Sequence, residues 1–219
     1  MSSSWPTLQA ALCGPALALF ALLLPAGCCG PPDGIGRFER YPCNAACSES
    51  MAVGTRADLT TMLDDMTIET TEEGPFGIEA NPSFIRILAS QSGTATALVR
   101  QRGALFDHFP LRAAEAGGLH VDGVATSSIT MTLGTQRSLK VTALALTASG
   151  VPGSTLAGSF CLNPSVEGAA NTVAAPCDES QPAADSGAVL ELSAEAIGTS
   201  TVTVYALGLQ RSFVLEVKP

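Results

Sequence analysis

The sequence predicts an all-β protein: two small β-sandwiches in tandem, behind an N-terminal signal segment and a linker. Three observations carry this. Short runs of alternating apolar and polar residues rich in Val, Leu, Thr and Ser recur along the chain, separated by Gly, Pro and Asn turns. A series of landmarks in the first half returns in the second. The chain is 46% hydrophobic but only 5% aromatic, so its core is built mainly from Val, Leu, Ile and Ala.

Residues 1–27 read as a signal peptide, because the apolar stretch Ala10 to Leu24 contains no charged side chain. It ends in Leu24-Pro25-Ala26-Gly27-Cys28-Cys29, small residues directly before a cysteine. This resembles the lipobox of bacterial lipoproteins, which implies that Cys28 is lipidated and becomes the mature N-terminus. Pro25 stands where that motif has Leu, and no Lys or Arg precedes Arg37. An ordinary cleaved signal and an uncleaved anchor are the alternatives, since the run approaches the roughly 20 residues that span a bilayer. Each places residues 30–219 outside the cytoplasm. Residues 28–47, with Gly, Pro and charge around Cys43 and Cys47, form a linker long enough to clear a membrane surface.

The first sandwich is expected over 48–120 and the second over 121–219. In Ser128–Leu133, Ile129, Met131 and Leu133 share one face, and Gly134-Thr135-Gln136 is expected to turn a hairpin. The run Ser138–Leu146 shifts phase near Ala143-Leu144, as a bulge requires. Thr201–Leu207 and Ser212–Val217 alternate strictly about Gly208 and read as a closing hairpin. Met51-Ala-Val-Gly54-Thr55 recurs as Met131-Thr-Leu-Gly134-Thr135, an offset of about 80 residues and far too long for a solenoid period. Asn81-Pro82-Ser83 recurs as Asn163-Pro164-Ser165, and Gly93-Thr94 as Gly198-Thr199. One module used twice is the reading, with an insertion at about 166–187 in the second copy.

The order of these parts resembles bacterial immunoglobulin-like domains of the Big-2 type, over residues 48–115 and more fully over 126–219. The resemblance implies immunoglobulin-like β-sandwiches with Greek-key connections, occurring in tandem on surface proteins and envelope lipoproteins as spacer or adhesion modules.

Charge and motif content argue against most chemistry. Charged residues are 14% of the chain, and 20 acidic against 11 basic side chains give a net −9, so a phosphate backbone is repelled and no nucleic-acid partner is expected. His108 and His120 have no partner at metal spacing, and neither Gly-x-Ser-x-Gly nor a phosphate-cradling loop occurs. No catalytic residue, metal or cofactor is therefore expected. The acids Asp58, Asp64, Asp65, Glu69, Glu72 and Glu73 lack the alternation of a calcium loop and read as a solvated edge. Four cysteines, Cys43, Cys47, Cys161 and Cys177, read as disulfides in an oxidising compartment, with Cys161–Cys177 pinning the base of the insertion. Cys29 is left over.

The expected function is a non-catalytic cell-envelope lipoprotein, a spacer, adhesion or binding module whose partners are envelope proteins or surface glycans and whose membrane contact is the lipid anchor. The alternative is a small secreted or periplasmic enzyme or inhibitor with its site in the 166–187 insertion, because loops on rigid sandwiches carry function.

Overall fold

A computed structural model describes residues 49–60, 65–81, 84–124, 127–169, 171–178 and 186–219. The described residues are all-β and form two immunoglobulin-like sandwiches.

In the first, β1 (Met51–Ala52), β7 (Ala104–Ala114), β6 (Gly93–Gln101) and β3 (Met66–Thr70) form one sheet in that order. The facing sheet is β2 (Arg56–Thr60), β5 (Phe84–Ala89) and β4 (Phe76–Asn81). Alternation supplies the core: Ala95, Ala97 and Val99 from β6, Phe109 and Leu111 from β7, and Ile85 and Ile87 from β5 are buried between the sheets.

The second sandwich repeats this plan. β12 (Asn163–Gly168), β15 (Gly198–Ala206), β16 (Leu209–Lys218) and β9 (Ser128–Thr132) form one sheet. β11 (Pro152–Leu156), β10 (Gln136–Leu146), β14 (Ala188–Ser193) and β13 (Thr172–Ala174) form the other. β8 (Ala116–Val121) lies antiparallel along the opposite edge of β10. Its core is Val202 and Val204 from β15, Phe213, Leu215 and Val217 from β16, and Leu139, Val141, Leu190 and Leu192 across from them.

The repeat extends to individual hydrogen bonds. Thr55 Oγ1 donates to the Ala52 carbonyl at 2.6 Å, and Thr135 Oγ1 to that of Thr132 at 2.6 Å. Gly54 N donates to Ala89 O, and Gly134 N to Ala194 O, each at 2.7 Å. β1 pairs parallel with β7, and β9 parallel with β16. Each sandwich ends in a hairpin with a two-residue turn: Arg102-Gly103 at φ 51° and 79°, and Leu207-Gly208 at φ 53° and 73°. Two successive positive φ values define the type I′ turn that matches strand twist, which glycine adopts freely and Arg or Leu only at a cost.

Three expectations are corrected. Gly134 does not turn a hairpin: β9 joins β16 while β10 enters the opposite sheet, because Gly134 N–H is drawn to Ala194 O across the end of the sandwich. The two Asn-Pro-Ser segments are not equivalent, since Asn81 ends β4 whereas Asn163-Pro164 opens β12, the counterpart of β3. The insertion expected over 166–187 divides: Val166–Gly168 ends β12 and Thr172–Ala174 is β13, leaving residues 175–187 between β13 and β14. A second enlargement, residues 147–162 between β10 and β12, replaces the five residues 61–65 between β2 and β3. The expected bulge in β10 is present, its register shifting after Leu144 against both β8 and β11.

Candidate functional site

The two enlargements of the second sandwich meet, and together they grip the first. After β11 the chain cannot continue along β10, and Ala157–Ser159 crosses instead to the first sandwich. Ala157 N donates to Ser50 O at 2.8 Å, and Ala52 N to Ala157 O at 3.0 Å. Arg56 and Ser159 exchange both backbone bonds, at 3.0 and 2.7 Å. The segment thus acts as a strand shared between β1 and β2 of the first sandwich.

From the other side, the 175–187 loop holds the same segment. Gly187 N donates to Gly158 O at 2.8 Å, Gly158 N to Ser186 Oγ at 3.3 Å, and an Arg56 guanidinium N–H to the Asp178 carbonyl at 3.1 Å. Cys161 and Cys177 are disulfide-bonded with Cα atoms 5.6 Å apart, tying residues 147–162 to the 175–187 loop. Gly158, at φ +98°, packs so closely on Thr55 that a Cβ there would lie 2.6 Å from Thr55 Cβ and collide with its hydroxyl. The apolar part of the junction is small, with Ala52, Ala143 and Leu156 buried and Phe160 and Leu207 against them. Orientation of the two sandwiches therefore rests largely on backbone pairing and the clamp.

Two shallow clefts flank this segment. One, of about 290 Å³, lies among Arg56, Lys140, Ser159, Cys177, Asp178 and Val189. The other, of about 220 Å³, lies among Arg56, Glu79, Arg86, Ser159 and Phe160. Each cleft is lined by two cations and one carboxylate, Arg56 and Lys140 with Asp178 in the first and Arg56 and Arg86 with Glu79 in the second. Of the expected insertion, Pro176, Cys177, Asp178, Ser186 and Gly187 line the first cleft.

Asp58 departs from the solvated edge expected for the acidic residues. Its carboxylate is fully buried and takes two bonds from the Arg86 guanidinium, at 2.8 and 3.0 Å, with Arg56 at 3.9 Å. Arg86 in turn lies 5.0 Å over the Phe84 ring. The pair forms because β2 and β5 place Asp58 and Arg86 directly opposite. The other described members keep their solvated character: Glu69 pairs with Arg100 at 3.2 Å at the surface, and Asp65, Glu72 and Glu73 are exposed.

His108 and His120 are not brought together. His108 sits on β7, its Nδ1 buried without a hydrogen-bond partner, next to the buried Asp107. His120 sits on β8 with Nε2 3.2 Å from an exposed Asp122 oxygen. Among the described residues no three His, Cys, Asp or Glu side chains cluster as metal ligands, and no helix is long and apolar enough to cross a membrane. Cys28, Cys29, Cys43, Cys47, Asp64 and the signal segment lie outside the described residues.

The fold defines a tandem of immunoglobulin-like β-sandwiches. No protein-family model matches the chain, and no curated protein does. Among solved structures it is similar to domains 4 and 5 of the S-layer protein SbsC, at 15% identity and a TM-score of 0.36 over 74% of this chain and 82% of that one. Domains 4–9 of the same protein give 16% identity and a TM-score of 0.37, over 73% of this chain and 23% of the other. The titin tandem A164-A165 gives 9% identity and a TM-score of 0.28, over 78% and 93%.

Proposed function

We propose that the protein is a non-catalytic surface module of the bacterial cell envelope, held to the membrane by a lipid on Cys28, in which two Big-2-type sandwiches, meeting between β7 and β8 at Glu115 rather than after residue 120, act as a stiff spacer presenting their loops and edges to envelope proteins or surface glycans. The observation that carries this reading is the junction. Tandem domains ordinarily pivot on their linker, whereas here the shared strand Ala157–Ser159 and the disulfide-tied loops hold one sandwich against the other. A strut needs that resistance to bending. The export signal supports the compartment, and the Cys161–Cys177 bond suits an oxidising one.

Anchoring is tested by Cys28→Ser. The variant is expected to leave the detergent-extracted membrane fraction for the periplasm or medium, with loss of incorporated fatty acid. Unchanged fractionation would refute the lipid anchor and favour an uncleaved apolar one.

A further inference from the structure

The Cys161–Cys177 disulfide does not join the two sandwiches directly, yet it controls what does. It closes a ring of residues 161–177 that contains β12 and β13, with the gripping segment Ala157–Ser159 just before Cys161 and Asp178, which holds Arg56, just after Cys177. Cys177 is exposed and Cys161 half-buried. The sandwiches' own cores, centred on Ile87 and Leu111 in the first and on Val202 and Phe213 in the second, contain neither cysteine. Apart from its backbone pairing, the junction has the small Ala52, Ala143 and Leu156 cluster with Ala114, Ala116, Ala145, Phe160 and Leu207 against it.

We infer that this disulfide is a thiol-exchange site that switches the tandem between a locked and a hinged form, its reactant being a dithiol reductant. The inference goes beyond the spacer reading and stands independently of anchoring at Cys28. A thiolate of the dithiol attacks Cys177 Sγ, forming a mixed disulfide and releasing the Cys161 thiolate, which takes up a proton. The second thiol of the same molecule then attacks the mixed disulfide, leaving as its own cyclic disulfide and freeing Cys177. Two electrons pass from the dithiol to the protein. Without the cross-link Asp178 is no longer tied to Cys161, so its carbonyl loses the bond from Arg56 and the opening equilibrium of the junction rises roughly tenfold, the worth of about one hydrogen bond to a charged group.

The test is amide hydrogen exchange on the full-length folded protein before and after treatment with dithiothreitol, with alkylation and peptide mapping to establish that Cys161 and Cys177 carry free thiols. The expected result is a protection loss of about tenfold at Ala52, Arg56, Ala157 and Ser159, with β6 and β15 unchanged, accompanied by a broader distance distribution in small-angle scattering. Three outcomes overturn the inference: a disulfide that resists the dithiol while the protein is folded, full reduction with junction protection unchanged, or loss of protection throughout the second sandwich. The last would make the bond a staple of the fold. Because the experiment reduces the folded protein, it does not depend on whether Cys161→Ser or Cys177→Ser chains fold.

Discussion

Gly158→Ala tests the junction most sharply, because two costs separate cleanly. Gly158 has φ +98°, where any L side chain is strained by roughly 1–2 kcal/mol. Its Cβ would also stand 2.6 Å from Thr55 Cβ, so the crossing segment must move away from the first sandwich. That movement breaks the bonds between Ser50, Ala52 and Arg56 on one side and Ala157 and Ser159 on the other. At about 1 kcal/mol net for each of these four, the coupling lost is about 4 kcal/mol. Gly103→Ala is the control: φ there is +79° with nothing within 4 Å of the added Cβ, so it carries only the conformational cost. Hydrogen exchange should show about a thousandfold loss of protection at the Ala157 and Ser159 amides in Gly158→Ala and none in Gly103→Ala, while urea unfolding shows both sandwiches still folded. Equal exchange in the two variants would refute the argument that backbone pairing through Ala157–Ser159 fixes the tandem.

Other residues give independent checks. Asp58→Ala strands a guanidinium that is only 12% exposed and should cost about 3–5 kcal/mol in chemical denaturation of the first sandwich, against a few tenths for the surface change Glu69→Ala. Asn171→Ala removes the side chain that accepts the Glu195 and Ala196 N–H groups at 2.9 and 3.1 Å and donates to Ser200 Oγ at 2.8 Å, all in the second sandwich. It should cost about 2–3 kcal/mol in the same assay. Asn tolerates positive φ, so Arg102→Asn should stabilise by about 0.5–1 kcal/mol, whereas Leu207→Asn gains the same relief and loses the Leu207 packing at the junction, ending near zero or below. Thermal unfolding of the two variants side by side decides whether Leu207 is held in its strained conformation by that packing.

Much of the architecture was legible in single segments. Strict alternation marked β15 and β16, and the phase change at Ala143-Leu144 marked the β10 bulge, because a strand's side chains face two sides in turn and a slip of one residue shows at once. The Gly54-Thr55 and Gly134-Thr135 turns were legible as a repeat, since each specifies its own local hydrogen bonds. The Cys161–Cys177 pairing followed from the base of a loop that needed closing.

Partners across the chain were another matter. Period-two patterning determined that β9 has one buried face, but only tertiary structure decided that its neighbour is β16 and not β10. The acidic run determined a charge density, but only the register of β2 on β5 placed Asp58 opposite Arg86 and took it out of water. Leu156, Phe160 and Leu162 read as one face of a strand, but nothing in that pattern said that Ala157–Ser159 pairs as isolated bridges at the meeting of two sandwiches, where burial depends on a surface more than a hundred residues away in the chain. By itself the sequence determined that β9, β10, β15 and β16 are strands and which of their faces are buried. Which strands pair, and that the two modules are gripped together, depended on contacts whose entropic cost is met only when the whole chain has folded.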